Sequence, residues 1–472
     1  MSQSQVGLVG LAVMGQNLAL NIAEKGFPIS VYNRTGDKVD ACVARAKEEG
    51  NLPLTGYKDL NDFVQSLERP RRVIMLVKAG GPVDATIESL VPHLEVGDFI
   101  IDGGNEWYPN TERRAAALAS KGIGYMGMGV SGGEEGARNG PSMMPGGPRE
   151  TWELMKPILS KVAAQVDDGP CVTYIGPGGS GNYVKMVHNG IEYGDMQLIS
   201  EAYDVLKTVG GLTNEELHQV FTDWNNGSLN SFLIEITAKV FAKRDDQGKG
   251  GHLVDYILDQ TGMKGTGRWT IIEAAELSIA APTMAASLDG RFLSALKQER
   301  VAASALYGDP TPPSGVDKKQ LIDDVSKALY ASKICSYAQG MNLIRAASIS
   351  HDWNLNLGEI SRIWKGGCII RAIFLDRIKK AYDLDANLAS LLVNPSFAAE
   401  LNESQGAWRR VINLAVNTGI AVPGFSSSLA YFDQYRRARL PANLVQAQRD
   451  FFGRHTFERT DMAGAYSAMW EE

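Results

Sequence analysis

The spacing of apolar positions changes character along this chain. Up to about residue 177, short apolar runs alternate with helical patterns. Gln5–Val9, Ile29–Asn33, Arg72–Val77 and Phe99–Asp102 each read as a short buried strand. A helical pattern follows the first of them through Ala23. The run Gly122–Met126 leads into Gly127-Met-Gly-Val-Ser131-Gly132-Gly133, which reads as a glycine loop, and Pro141–Pro148 reads as a second shaped loop. Beyond Gly176–Gly181 the spacing becomes helical, with loop breaks at 244–251 and 309–315. Strands alternating with helices predict an α/β doubly wound domain over 1–177. A large all-α domain over 178–435 and a C-terminal tail over 436–472 follow.

The helical part carries a repeat. Met196-Gln-Leu-Ile199 and Ala202 recur as Met341-Asn-Leu-Ile344 and Ala347. Glu216-Leu217, Val220 and Trp224 are echoed by Glu359-Ile360, Ile363 and Trp364. The spacing of roughly 140 residues predicts two related helical units packed on each other.

Composition narrows the function. A net charge of −7 excludes a general nucleic-acid binder. Cys42, Cys171, Cys335 and Cys368 are far apart in sequence, so neither a disulfide framework nor a metal site is expected. No apolar run is long enough to cross a membrane. No secretory pattern opens the chain, and four residues before the first strand leave no room for a transit peptide. The expected location is the cytoplasm.

The chemistry begins at Gly10-Leu11-Ala12-Val13-Met14-Gly15, between the first strand and its helix. This is the dinucleotide loop of a Rossmann-like domain, with Ala at the second glycine. Gly10 permits the tight turn, Ala12 stays small beneath a pyrophosphate, and Gly15 allows close helix packing. The second strand ends in Asn33-Arg34-Thr35, where an NAD enzyme usually carries an acid. A guanidinium there suits a 2′-phosphate and predicts NADP. Asn105 follows the Phe99–Asp102 strand at the sheet edge where ligands gather, as does the Val77-Lys78-Ala79 loop after Arg72–Val77. Ser131, Gly132 and Gly133 offer a hydroxyl and bare N–H groups to an anion.

Lys185, Asn189 and Glu192 stand at i, i+4 and i+7 of the first long helical segment. They share one helix face. If that face looks into a cleft, it is an acid–base site; if it looks into solvent, it is an ordinary Lys–Glu surface. At the matching positions of the second unit stand Tyr330, Ile334 and Tyr337, so the helical scaffold does not require the polar trio. Arg436, Arg437, Arg439, Arg449, Arg454, His455 and Arg459 make the tail locally basic, which suits an anion site or a partner surface.

On Gly10–Asn17, Asn33–Thr35, Leu76–Ala79, Asp102–Asn105, Gly129–Glu134, Lys185–Met196, Lys264-Gly-Thr-Gly267 and Pro441–Arg449, the chain resembles the 6-phosphogluconate dehydrogenase family over essentially its whole length. The resemblance implies an NADP-dependent oxidative decarboxylation. Lys185 would be the general base and Glu192 the general acid. His188, Asn189, Ser131, Gly132, Gly133 and Asn105 would contact substrate or cofactor. Tyr193, Lys264, Thr266 and Arg291 would hold the phosphorylated end of the substrate. It also implies a homodimer whose tail brings Arg449 and His455 into the neighbouring subunit's site. Two departures stand out: Arg268 replaces a common Lys, and Gly464–Trp470 differs from the family's usual ending. Competing readings are a dehydrogenase for a smaller β-hydroxyacid and a silent NADP-binding dimer.

Positioned proton transfer is worth about 10²–10⁴-fold in rate. Lys185→Ala is therefore expected to lose at least that much kcat while retaining cofactor binding, checked by steady-state kinetics beside a fluorescence titration of the cofactor.

Overall fold

The computed structural model describes residues 3–248 and 250–471. Seven strands form one sheet: β1 Val6–Val9, β2 Ile29–Tyr32, β3 Leu54–Tyr57, β4 Arg72–Met75, β5 Phe99–Asp102, β6 Gly124–Ser131 and β7 Ser142–Gly146. Their order is β3-β2-β1-β4-β5-β6-β7. All neighbours pair in parallel except β6 with β7. The first helices are α1 Val13–Glu24, α2 Gly36–Glu48, α3 Leu60–Gln65, α4 Gly81–Leu90, α5 Tyr108–Ala119, α6 Gly133–Asn139 and α7 Arg149–Val162. Apolar clusters cover both sheet faces, one around Leu8, Val31 and Met126, the other around Val73, Ile100 and Tyr125. Strands buried on both sides carry near-continuous apolar residues, which is why their runs are legible in sequence.

The remaining helices are α8 Ser180–Asp204, α9 Asn214–Asn225, α10 Phe232–Ala242, α11 Thr266–Glu276, α12 Pro282–Ala295, α13 Lys297–Tyr307, α14 Lys318–Ser350, α15 Leu357–Ile363, α16 Leu375–Leu384, α17 Pro395–Thr418, α18 Pro423–Tyr435 and α19 Ala442–Gly453. The two long helices α8 and α14 pack on each other, and a packed helix pair follows each, α9 with α10 and α15 with α16. The echoed sequence motifs lie on these corresponding elements. Tyr330, Ile334 and Tyr337 serve the scaffold of α14. Ile334 is fully buried, Tyr330 donates to Glu400 Oε2 at 2.9 Å, and Tyr337 donates to the Ile370 carbonyl at 2.6 Å. Between the long helices, Lys333 Nζ bonds Asp195 Oδ2 at 2.5 Å with both side chains out of solvent.

The chain forms two compact units, one ending at Ser428 and the other beginning at Leu429. The division falls inside α18, ahead of the expected start of the tail at 436. In the second unit Asp450 is a buried hub. It accepts the Thr456 N–H at 3.1 Å, the Ala468 N–H at 3.0 Å and the Trp470 indole N–H at 2.8 Å. The divergent last residues are thus folded back against α19.

Two sequence expectations need correction. Gly127–Ser131 is not a loop but the second half of β6, and Pro141–Pro148 contains β7, its antiparallel neighbour. Glycine composition imitates a turn here because α8 lies against these strands. A Cβ on Gly127 would come within 1.9 Å of Asn182 Oδ1, and one on Gly129 within 2.3 Å of Lys185 Cβ. On the helix, a Cβ at Gly181 would meet the Met144 and Gly127 carbonyl oxygens at 2.3 and 2.4 Å. Glycine inside a strand marks close approach of another backbone.

Overfilling a close-packed contact costs about 1–3 kcal/mol. Gly129→Ala is accordingly expected to lower the thermal midpoint and depress kcat, because the methyl displaces the Lys185 stem; a calorimetric scan beside an activity assay checks both.

Candidate active site

Two clefts open at the carboxyl edge of the sheet. One, of about 600 Å³, is lined by Gly10, Asn33, Arg34, Thr35, Lys38 and Val77, with Gly81, Thr86 and Ser89 across from them. Its floor is the β1–α1 turn. Gly10 adopts φ +100°, and a Cβ on Gly15 would stand 1.8 Å from the Gly10 carbonyl oxygen. Asn33 holds this turn to the end of β2 by accepting the Leu11 N–H at 3.0 Å. No side chain caps the N-terminus of α1, and no acid lies in its first turn. The free N–H groups and the helix dipole are left for an anion. Arg34 and Lys38 are exposed beside it and make no ion pair among the described residues. The cleft therefore suits a dinucleotide with an additional phosphate. Lys38 escaped the sequence reading, although its position four residues after Arg34 was a usable signal.

The other named cofactor residues divide by environment. Leu11 has its side chain in the core, so only its backbone can serve a ligand. Ala12 and Val13 are exposed, and Met14 points into the second cleft. Lys78 is exposed on the loop after β4, with Ala79 beside it half-buried.

The second cleft, of about 560 Å³, gathers Asn105, Ser131, Gly132, Gly133, Lys185, Asn189, Glu192, Tyr193, Lys264, Thr266 and Arg291 from across the sequence. Ser131 ends β6, Gly132 turns the chain at φ +115°, and α6 begins at Gly133. The Lys185–Asn189–Glu192 face of α8 looks into this cleft, so the solvated-surface reading fails. Met196, Gly262, Met263 and Ile369 also line it and were not foreseen.

Lys185 is only 5% exposed. Its ammonium donates to Asn189 Oδ1 at 2.8 Å, and Asn189 donates in turn to Thr266 Oγ1 at 3.1 Å. His188 is fully buried behind them, outside the cleft lining. Its Nδ1 lies 3.4 Å from Lys185 Nζ and 3.0 Å from Asn189 Oδ1, and its Nε2 lies 3.3 Å from Ser131 Oγ. Trp364 meets the imidazole edge-on. Thr270, one turn after Thr266 on α11, donates to the Met186 carbonyl at 2.9 Å and fixes the two helices together.

Burial shapes the electrostatics. Desolvation pulls the Lys185 ammonium below the ordinary lysine value, while the Glu192 carboxylate opposes it. Desolvation and then the Lys185 charge drive His188 well below its usual range, which leaves a neutral imidazole. Desolvation raises the Glu192 carboxyl and Asp195 adds to the rise, against the pull of Lys185, Arg291 and Lys264. A base eased toward neutrality beside an acid eased toward protonation is the pairing that acid–base catalysis near neutral pH requires. At the far end, the Arg291 guanidinium lies 3.5 Å over the Tyr193 ring and donates to the Gly262 carbonyl. Neither Arg291 nor Lys264 forms an ion pair among the described residues, and both line the cleft. No cluster of His, Cys, Asp and Glu fit to hold a metal ion occurs among the described residues. Arg449, on α19, and His455 are exposed in the second unit.

A dinucleotide cleft together with a second cleft that holds a buried lysine and a carboxyl defines a nicotinamide-dependent dehydrogenase. Known proteins refine that class. Residues 5–176 match the NAD binding domain of 6-phosphogluconate dehydrogenase, and residues 181–470 match that family's C-terminal domain. The decarboxylating 6-phosphogluconate dehydrogenase 2 of Arabidopsis thaliana is 69% identical, covering 99% of this chain and 97% of its own length. A chloroplastic decarboxylating form from the same plant is 67% identical over 99% of this chain and 97% of its own. The solved Plasmodium falciparum 6-phosphogluconate dehydrogenase, described in its apo form and in complex with NADP+ and with 6-phosphogluconate, superposes with a TM-score of 0.95. It is 51% identical, covering 99% of this chain and 100% of that one. The chain belongs to the 6-phosphogluconate dehydrogenase family.

The pH profile tests the electrostatics. Glu192 raises Lys185, so Glu192→Gln should move the limb of kcat/KM that tracks Lys185 deprotonation to lower pH and abolish the limb due to Glu192. A Lys185 limb that stays or rises would contradict the coupling.

Proposed function

We propose that this chain catalyses the oxidative decarboxylation of 6-phospho-D-gluconate to D-ribulose 5-phosphate and CO2, with reduction of NADP to NADPH, a reaction of the pentose phosphate pathway and of gluconate utilization. The observation that carries this reading is the buried Lys185, held by Asn189, in one cleft with Glu192 and the unpaired cations Lys264 and Arg291. NADP, when bound along Gly10–Gly15, Asn33–Thr35 and Val77–Ala79, supplies the hydride acceptor. Lys185, as the neutral amine, takes the 3-hydroxyl proton as C3 is oxidised. The resulting 3-keto acid has a carboxylate β to a carbonyl and loses CO2. Lys185, now an ammonium, stabilises the enediolate oxygen that develops, and no metal is needed for this. Glu192 then delivers a proton to the former C2, which becomes C1 of ribulose 5-phosphate. Neutral His188, buried within reach of both Ser131 and Lys185, orients the base from behind the cleft wall. Asn105, Ser131, Gly132 and Gly133 receive the carboxylate and hydroxyl end. Tyr193, Lys264, Thr266 and Arg291 receive the phosphate.

The proposal assigns 1–177 to dinucleotide binding, 178–435 to substrate binding and dimerisation, and 436–472 to a tail that brings Arg449 and His455 to the neighbouring subunit's site. A homodimer is supported by α13, which buries none of its own side chains. Val301, Leu306 and Tyr307 are 57%, 80% and 87% exposed on it. Large apolar side chains left in water mark association surfaces. The cytoplasm is the proposed location. No helix is long and apolar enough to cross a membrane among the described residues.

The test is to incubate the purified protein with 6-phosphogluconate and NADP and to follow NADPH and CO2 together. Equal amounts of both are expected. NADPH without CO2 would favour a simpler β-hydroxyacid dehydrogenase, and neither product would favour a silent NADP-binding dimer.

A further inference from the structure

The loop that leaves β4 lines the first cleft through Val77 and Gly81, and the loop that leaves β5 lines the second through Asn105. A buried charge network joins those loops from behind, and none of its members lines either cleft. Glu106, immediately after Asn105, is 2% exposed. Its Oε2 accepts the Gly80 N–H at 2.8 Å and Arg114 Nη1 at 2.5 Å. Its Oε1 accepts the Trp107 N–H at 2.8 Å and Asn110 Nδ2 at 3.1 Å. Four donors fill the acceptor positions of a carboxylate. Arg114, 3% exposed, returns to the same glycine. Its Nη2 donates to the Gly80 carbonyl at 3.1 Å, while Nε and Nη2 fork onto Asp84 at 2.8 and 3.0 Å.

Gly80 is thus gripped at both its N–H and its C=O. It holds φ +86° and ψ −138°, and a Cβ there would meet nothing within 4 Å. The backbone conformation, not space, demands glycine, and the Glu106–Arg114 grip is what fixes it. On the cofactor side, Val77 and Gly81 flank this point. On the substrate side, Asn105 precedes Glu106 by one residue, and Trp107 stacks on Trp269 of α11 with ring centroids 6.4 Å apart. Burying charges carries a desolvation cost that apolar packing would avoid, so the network is poorly explained by stability alone.

We infer that Glu106 is a positioning residue that locks the Val77–Gly81 loop to the Gly103–Trp107 loop, so that the cofactor loop and Asn105 are held in one register. The same two strands provide a control. Arg71 and Asp98 form a buried ion pair before β4 and β5, at the opposite edge of the sheet and touching neither cleft.

The experiment compares Glu106→Gln with Asp98→Asn in the full-length chain; its kinetic arm rests on the reaction proposed above. Glu106→Gln should raise KM for NADP and for 6-phosphogluconate together, each about tenfold, and speed amide exchange about tenfold in both 78–81 and 103–107. Asp98→Asn should lose comparable thermal stability yet keep both KM values and both exchange rates within twofold of the parent. Parent-like constants and exchange in Glu106→Gln, or equal effects in Asp98→Asn, would overturn the inference. If Glu106→Gln does not fold, Arg114→Lys replaces it, with the same paired rise expected and parent-like values again overturning. Amide exchange needs no substrate. A parent chain inactive on 6-phosphogluconate would therefore sink the proposed reaction, and exchange alone would decide the lock.

Discussion

The contact between helix α8 and the strands β6 and β7 is the constraint on which the rest of the site depends. Gly127 and Gly129 leave room on the strand for the Asn182 and Lys185 side chains, and Gly181 on the helix lets its backbone meet the Gly127 and Met144 carbonyls. The helix can then set its first turns onto the edge of the sheet. Lys185 leaves α8 over the strand that ends in Ser131, while Asn189 and Glu192 continue along the same face into the cleft. Without this approach, the lysine would stand farther from the dinucleotide cleft and in more water. Geometry and electrostatics therefore share one origin: the crossing that positions the amine also strips its hydration.

That loss of hydration explains how an ordinary lysine and glutamate are each drawn away from their charged forms. Lysine and glutamate in water sit far apart on the pH scale. Burial penalises the charged form of each and draws them toward each other. Asn189, anchored by Thr266, keeps the amine directed without adding a counter-charge. Beyond Lys185, the cations that favour an ionised Glu192 are Arg291, which rests on the Tyr193 ring, and Lys264.

The sheet, its dinucleotide turn and the helical trio were legible because each is local. Strands buried on both faces write apolar runs, and a helix face writes a 3.6-residue period. The glycine-rich half of β6 was misread because its glycines answer to a helix some fifty residues further along, which no local pattern records. Nor could spacing anticipate the Asn189–Thr266 bond, the Asp450 hub or the bond from Gly80 to Glu106, since each joins positions with no periodic relation. Lys38 is different: its four-residue distance from Arg34 was available and went unused. The family resemblance named the residues of the cleft but not the depth at which each sits, and depth is what separates the buried His188 from the exposed Lys264.

The ion pair between Asp195 and Lys333 joins the two helical units, one partner from each. Removing one member of such a buried pair costs about 3–5 kcal/mol, because the survivor keeps its charge and loses its counter-ion. The two long helices are therefore tied to each other at this point. A chain shortened to the first unit would carry an uncompensated carboxylate one helical turn beyond Glu192. The helix without the Lys185–Asn189–Glu192 face thus supplies the counter-ion that the helix bearing it requires.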